Sequence, residues 1–225
     1  MNERADADSS LIPEPVDLQA ASPAFRRFYH VHFVDTILLL RNEVDLDFAS
    51  RLTANELALA RRLLRANLQV SVYRNSAALL NDREAIPILE QLVEQAKQLT
   101  EKIDIARALW ILDRSPIYPS LIDRLVRGRN AALKQQHIYD ILQLADRRAI
   151  DHLYTLAQDQ DEAVRDLAIF HLTDLANAWK GRWLNNESTR TPDLEYFLQR
   201  RESSRFIKRM LKELREWHDA RPLVS

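Results

Sequence analysis

The chain has 225 residues, of which 46% are hydrophobic, and a formal net charge of -1 from 32 Lys and Arg against 33 Asp and Glu. This length and composition allow a sizeable core, and the near-neutral balance argues against a global positive field that would attract nucleic acid. There is no cysteine, which excludes disulfides, thiolate nucleophiles and cysteine-ligated zinc. With Gly128 and Gly181 as the only glycines, glycine-rich phosphate loops and nucleophile elbows cannot be built.

Residues 1–23 are predicted to form a disordered acidic tail, because they hold five acidic residues, one basic residue and three prolines. The segment from Met1 to Asp8 lacks the basic region and the apolar core of a signal peptide. No apolar stretch approaches the roughly 18 residues that a membrane span requires. We therefore expect a cytoplasmic protein without a membrane span.

Helical periodicity begins after this tail. Apolar side chains recur at intervals near 3.6 residues from Ala24 to about Arg41, which predicts a helix that is buried on one side. Thr53 and Glu56 have the spacing of a capping box, in which each residue satisfies a backbone N–H near the other. A helix should therefore begin at this point and continue to Leu80 with one break.

An internal repeat is marked by Asp82, Asp113, Asp146 and Asn177, each of which follows an apolar pair. The steps between them are 31, 33 and 31 residues, within the period range of helical solenoids. Each repeat is predicted to contain a first helix, a turn in which Asp or Asn caps the next helix, and a second helix. The second helices should bury one apolar face, with Ile86, Leu89 and Leu92 in one repeat and Ile150, Leu153 and Leu156 in a later one.

The repeats from about residue 66 to 178 resemble the HEAT-repeat family, and in particular its short-repeat subclass, which includes phycobilisome lyases. The best match is the segment from Asp161 to Ala168, whereas Asn75 stands where the family pattern places an arginine. The resemblance implies an all-α fold, an armadillo-like α-solenoid (α-α superhelix) of antiparallel helix pairs, and it transfers no catalytic residues. Within the matching segment, Asp161 is predicted to cap a helix, and Arg165 to form a ladder between successive repeats.

We accordingly predict HEAT-like helical repeats over residues 24–178 and divergent C-terminal capping helices over residues 179–225. A terminal repeat must cover the apolar end of the stack, so its sequence is expected to diverge. The last helix, from about Ser204 to His218, carries an apolar stripe that would provide this cover.

The predicted function is a non-catalytic protein–protein interaction scaffold that binds its partner through the concave face, since a stack presents equivalent positions as one surface. The predicted partner-binding residues on or near the second helices are Tyr118, Arg124, Arg127, His152 and Tyr154. Two further candidates, Lys208 and Arg215, lie in the C-terminal segment from Tyr196 onward, where eight basic residues stand against four acidic ones. This basic segment either docks a partner or is a solvated helix face.

Two alternatives remain open. The resemblance to the short-repeat subclass implies a chromophore lyase or chaperone, and other HEAT-like proteins bind DNA through a basic concave face. The near-neutral charge and the scattered arginines argue against nucleic acid. No acid and base pair can be singled out for catalysis, so whether the chain is an enzyme stays open, with the balance against it.

We predict no metal and no cofactor. His30 and His32 resemble a pair of metal ligands, but residues two apart on a helix point about 200° away from each other. They therefore cannot share one ion. His171 and Asp174 share a helical face, but no third ligand accompanies them. The carboxylates near Asp161 lack the glycine and the glutamate of a calcium loop.

Overall fold

The computed structural model describes residues 16–34, 46–144, 147–183, 212, 215 and 216. These residues are mainly helical and include no β-strand, which confirms the all-α prediction for the part of the chain that is described. The chain divides into two compact units, Met1–Tyr118 and Pro119–Ser225, here called unit 1 and unit 2. Each unit is described by itself.

Unit 1 is built from short helices joined by tight turns. They are α1 (Pro23–Tyr29) with a π-helical turn (His30–Val34), a 3-10 helix (Leu46–Arg51), α2 (Ala54–Arg65), α3 (Ser71–Leu79), a 3-10 helix (Arg83–Ala85), α4 (Ile86–Gln95) and α5 (Leu99–Asp113). Its core includes the fully buried side chains of Phe25, Phe28, Leu63, Tyr73 and Leu109. Helices α3 and α4, the predicted first and second helices of one repeat, both pack against α5, the predicted first helix of the next repeat.

The beginning of α1 differs from the prediction. Ser22 is its N-cap and accepts a hydrogen bond from the backbone N–H of Phe25 at 3.1 Å. Just before it, Asp17 Oδ1 accepts bonds from the backbone N–H groups of Gln19 and Ala20. The last residues of the predicted tail therefore form a turn and a cap, because short polar side chains satisfy backbone donors there.

The capping box and the single helix break are confirmed. Glu56 Oε2 accepts from the backbone N–H of Thr53 at 2.9 Å, and Thr53 Oγ1 accepts from that of Glu56 at 3.3 Å. Glu56 Oε1 also accepts from the backbone N–H of Ser22 at 2.7 Å, which joins the starts of α1 and α2. These backbone donors lower the pKa of the Glu56 carboxyl to about 2.

The predicted Asp turn after α3 forms with different roles for its residues. Asn81 adopts the left-handed conformation with φ 51°, and the backbone N–H of Asp82 bonds to the Ala77 carbonyl at 3.0 Å, as in a Schellman motif. The side chain of Asp82 makes no cap; its Oδ2 lies 3.1 Å from Nε of Arg65, and burial raises the pKa of its carboxyl. Asp113 does accept a local bond, from the backbone N–H of Ser115 at 3.0 Å.

Unit 2 holds most of α6 (Ile117–Arg127), followed by α7 (Ala131–Gln136), α8 (Ile138–Leu142), α9 (Arg147–Leu156) and α10 (Glu162–Trp183). Its core includes Ile138, Ile141, Ile150, Leu153, Leu156 and Val164, which confirms the apolar face predicted for α9. Helix α10 packs against α7 and α9.

Two turn predictions in unit 2 have different outcomes. Asp161 caps α10, since its Oδ1 accepts from the backbone N–H of Val164 at 3.0 Å. The turn predicted at Asn177 is wrong, because α10 continues as one helix to Trp183 and passes position 178, where the repeats were expected to end. Asp146 and residues 184–211 lie outside the described residues.

Candidate protein-binding surfaces

The first of the predicted partner-binding residues, Tyr118, is part of the core. Its side chain is fully buried, and its ring centre lies 6.3 Å from that of Trp110 in α5. An aromatic side chain at the start of α6 can bury a large apolar area against α5. Tyr118 therefore does not belong to an exposed surface, which corrects the prediction.

Arg124 and Arg127 are exposed, as a surface position requires. Both lie in the last turn of α6, where positive charge is favoured by the partial negative charge of the helix C-terminus. Their placement is thus explained by helix electrostatics, and it remains compatible with a role in binding.

His152 joins two helices. Its Nε2 lies 3.1 Å from Oδ1 of Asp123 in α6, and its side chain is largely buried. This contact bridges α6 and α9, which carry equivalent positions as the second helices of successive repeats. The imidazole is therefore engaged within unit 2.

Tyr154 is buried on α9, and its ring is covered by the guanidinium group of Arg215, whose Cζ lies 5.0 Å from the ring centre. Nη1 of Arg215 also lies 2.7 Å from Oδ1 of Asp151. Burial raises the pKa of the Tyr154 phenol, with Arg215 and Arg147 acting in the opposite direction. Two of the predicted residues, Tyr154 and Arg215, thus contact each other.

This contact corrects the picture of Tyr154 as an open surface residue and adds Asp151, which the sequence reasoning missed. Asp151 and Arg215 are 64 positions apart, and no local pattern connects them. Lys208 lies outside the described residues.

A second surface feature was missed altogether. Four first helices each expose one large apolar side chain that is flanked on both sides by buried residues. These side chains are Leu79 on α3 (56% exposed), Ile111 on α5 (39%), Tyr139 on α8 (62%) and Phe170 on α10 (49%). The sequence contained part of the signal, because Leu79 and Ile111 belong to the apolar pairs that mark the repeat.

In unit 2 the exposed side chains surround a buried histidine. The ring of Tyr139 meets that of His171 edge to face at 4.7 Å, and the ring of Phe170 does so at 5.3 Å. His171 is 2% exposed, so the two exposed rings stand on a firmly packed base. We call Tyr139, Phe170 and His171 the aromatic patch.

In unit 1 the exposed side chains of Leu79 and Ile111 lie near a hydrogen bond that joins their two helices, α3 and α5. Arg107 Nη2 donates to Oδ1 of Asn75 at 3.0 Å, which ties α5 to α3. Leu79 and Ile111 stand four residues after Asn75 and Arg107 respectively, so each shares a helix face with its partner in that contact. The ladder expected at Arg165 is instead made here, at Asn75 and Arg107.

Unit 1 also contains a serine and a histidine in hydrogen-bond contact, the arrangement that a nucleophile and its base require. His32 Nε2 lies 2.9 Å from Ser76 Oγ, and its Nδ1 lies 2.9 Å from the carbonyl oxygen of Phe28. His32 is fully buried and Ser76 is 5% exposed, so the pair lies within the core. Since Nδ1 faces a carbonyl, it carries the hydrogen, and Nε2 accepts from the serine.

Burial lowers the pKa of His32 to about 4, with the Phe28 carbonyl acting in the opposite direction. Tyr73 donates to the backbone oxygen of His32 at 2.8 Å, which adds a third polar tie to the same turn. This geometry clamps the π-helical turn to α3. His30 is exposed while His32 is buried, in agreement with the expectation that they point apart.

Comparison with family models, with characterised proteins and with solved structures found no significant match to the chain. Among the described residues, no helix is long and apolar enough to cross a membrane. The described residues also contain no group of three or more His, Cys, Asp or Glu side chains placed to hold a metal ion.

Proposed function

We propose that this chain is a non-catalytic protein-binding module whose helix pairs form a HEAT-like α-solenoid. The repeat period in the sequence, the helical structure of the described residues and the resemblance to the HEAT-repeat family support this proposal. Since a chain without cysteine suits a reducing compartment, the proposal places the module in the cytoplasm.

The observation that carries this proposal is the recurrence of one exposed, large apolar side chain on each of four first helices. A single exposed apolar residue is ordinary in soluble proteins. Tyr139 and Phe170 recur at equivalent positions, since each precedes its repeat marker, Asp146 or Asn177, by seven residues. Repeat proteins use such positions to build a binding surface. Aromatic residues are also enriched at the centres of protein interfaces, which favours Tyr139 and Phe170 as the principal contacts.

The proposal assigns partner binding to the first helices, whereas the sequence predicted binding by the second helices. On α9, the positions that the sequence assigned to binding are occupied by contacts within the chain, His152 with Asp123 and Tyr154 with Arg215. The aromatic patch instead presents side chains that are 62% and 49% exposed. A partner that covers this patch would bury the apolar area of the two exposed rings.

The test is affinity capture from the native cell with two matched double variants. Tyr139→Ser with Phe170→Ser removes the exposed rings, and Arg124→Ser with Arg127→Ser removes the exposed arginines of the second-helix surface. We expect the first variant to lose the proteins that the wild-type chain captures and the second to retain them. Both should unfold within about 1 kcal/mol of the wild type, since the substituted residues are exposed.

Other outcomes are equally informative. Loss of capture by the arginine variant alone would restore the second-helix surface as the binding face, and retention by both variants would remove both surfaces. Sedimentation of the purified wild type and of the Tyr139→Ser, Phe170→Ser variant tests whether a second copy of the chain covers the aromatic patch. A wild-type dimer that this variant converts to a monomer would identify the partner as a second copy of the chain.

A further inference from the structure

Helix α9 presents a carboxylate and an aromatic ring on one face. Asp151 and Tyr154 are three residues apart, the spacing of neighbours on a helix surface. The guanidinium group of Arg215 lies over the Tyr154 ring at 5.0 Å and has Nη1 2.7 Å from Oδ1 of Asp151. A planar cation that stacks on a ring while it pairs with a carboxylate is the chemistry of arginine and not of lysine.

The parts of this arrangement differ in exposure. Tyr154 is 7% exposed. The side chains of Arg215 and Asp151 remain 39% and 46% exposed. Ion pairs between partly exposed side chains are weak, because water screens their charges. The ring is thus a fixed surface, and the cation above it is held reversibly.

A second arginine makes release of the first less costly. Nε of Arg147, one turn before Asp151 on the same helix, lies 3.7 Å from the same Oδ1. If Arg215 moved away, Asp151 would keep a positive neighbour and would not become an isolated charge. Release would also remove the guanidinium group from the face of the Tyr154 ring.

We propose that Asp151 and Tyr154 form a binding site for an arginine side chain, which Arg215 of the same chain occupies until an arginine-bearing peptide replaces it. The site lies on α9 and uses neither ring of the aromatic patch, so this inference stands apart from the proposed function. Covalent attachment gives Arg215 a high local concentration, and a competing arginine in another molecule must overcome it.

The direct test is peptide binding to the full chain, measured by fluorescence anisotropy. The probe is a labelled nonapeptide with the sequence of residues 211–219, in which Arg215 is the single arginine. We expect Arg215→Ala to bind this peptide at least about tenfold more tightly than the wild type, because the local competitor is gone. Adding Asp151→Asn to that variant should abolish the gain.

Two controls separate this site from general charge effects. Lys212→Ala removes another exposed base of the same segment, which lies 3.8 Å from Glu216, and it should bind the peptide no better than the wild type. A peptide with lysine in place of its arginine should bind the Arg215→Ala chain at least about tenfold more weakly, since lysine lacks the planar group.

Equal binding by the wild type and by Arg215→Ala would overturn the proposal, as would equal binding of the two peptides. Binding that survives Asp151→Asn would also overturn it. Concentration-dependent dimerisation of the wild type, lost in both Arg215→Ala and Asp151→Asn, would support the site and identify a second copy as the source of the arginine. The capture experiment on the aromatic patch is independent of each of these results.

Discussion

The two units each contain an arginine that closes the loop before its own helix in the same way. In unit 1, Arg74 Nη1 donates to the carbonyl oxygens of Leu68 at 2.9 Å and Gln69 at 2.8 Å. In unit 2, Arg165 Nη1 donates to those of Asp159 and Gln160, both at 2.9 Å. Each arginine reaches back six and five residues, so Arg74 takes the role that the repeat pattern assigned to position 75.

The difference lies in what else the two arginines do. Arg74 is 5% exposed and also forms a salt bridge with Asp104 of α5, whose other carboxylate oxygen accepts from Arg107 at 2.8 Å. Arg165 is half-buried and holds its loop. One residue in unit 1 therefore combines loop closure with a bridge between helices.

In unit 2 the bridge between helices is made by other side chains. Lys134 of α7 pairs with Asp159, with Nζ 2.5 Å from Oδ2, and Gln135 donates to Oδ1 of Asp161 at 3.1 Å. The comparison shows that a repeated local contact predicts loop geometry, whereas burial and cross-helix partners decide how much stability depends on it.

The largest expected effect follows from this difference. Arg74→Ala would remove the buried partner of Asp104, which keeps Arg107, and would leave two loop carbonyls without their donor, so it should lower the free energy of unfolding by about 2–4 kcal/mol. Arg165→Ala should cost about 1 kcal/mol, because it removes hydrogen bonds at a half-exposed position. Denaturant unfolding followed by circular dichroism would measure both values.

A control variant separates charge from geometry. Arg74→Lys retains the positive charge beside Asp104, but a single ammonium cannot donate in the directions of the guanidinium fork. The free energy of unfolding of Arg74→Lys should therefore lie between those of the wild type and of Arg74→Ala. If Arg74→Ala and Arg165→Ala cost the same, the bridge to α5 contributes nothing and the distinction between the units fails.

The two units also differ in the groups that surround a buried histidine. His137 of unit 2 has Nδ1 2.8 Å from Oδ2 of Asp140, so a carboxylate faces it. His32 of unit 1 is bonded to the Phe28 carbonyl and the Ser76 hydroxyl, and its pKa is lowered from 6.5 to about 4. Protonation of His32 is therefore easier in the unfolded chain than in the folded one.

Stability should consequently fall as the pH is lowered from about 6.5 to about 4, because the unfolded state takes up the proton first. The full shift corresponds to about 3 kcal/mol, and this stability is present above the unfolded pKa. Unfolding measured at several pH values would give the slope. His32→Gln should remove this slope, and His30→Gln, at an exposed position in the same turn, should keep it.

An unchanged slope in His32→Gln would show that other groups control the acid response. Glu56 would not produce the same response, since its pKa is lowered to about 2 and its contribution is lost only at more acidic pH, between its ordinary value of 4.5 and about 2.

The parts of the fold that the sequence predicted depend on residues close together in the chain. The capping box at Thr53 and Glu56, the cap at Asp161 and the buried face at Leu153 each follow from spacings of three or four residues. Helical geometry fixes such neighbours before any tertiary contact forms. The turn expected at Asn177 failed because the same apolar and polar letters also fit a continuing helix.

The candidate sites were predicted less well, because they depend on distant contacts. Tyr118 has the polar tip of a surface residue, and only its packing against Trp110 shows that it is core. The cover over Tyr154 comes from Arg215, more than sixty positions away. A stripe of apolar residues indicates that one helix face is buried, but it does not reveal which member of each apolar pair stays exposed.

The smallest expected effect concerns the caps at the starts of α1 and α10, which are both tied to another helix. Ser22 caps α1 while its own N–H donates to Glu56, and Asp161 caps α10 while it accepts from Gln135. Loss of a cap side chain leaves one backbone N–H of the first helical turn without its acceptor. Ser22→Ala and Asp161→Ala should therefore each lower the free energy of unfolding by about 1 kcal/mol. Equal values would show that the two units depend on their caps alike.

Truncation tests the cap of α1 independently of the side-chain substitution. Deletion of residues 1–22 removes the Ser22 hydroxyl and its backbone donor to Glu56, whereas deletion of residues 1–15 leaves both in place. The longer deletion should therefore lower the free energy of unfolding by about 1–2 kcal/mol more than the shorter one. Restoring Ser22 alone, as a deletion of residues 1–21, should recover most of this difference, because Ser22 makes both contacts. Equal stability of the two deletions would mean that α1 is held by Phe25 and Phe28 in the core and that its cap contributes nothing.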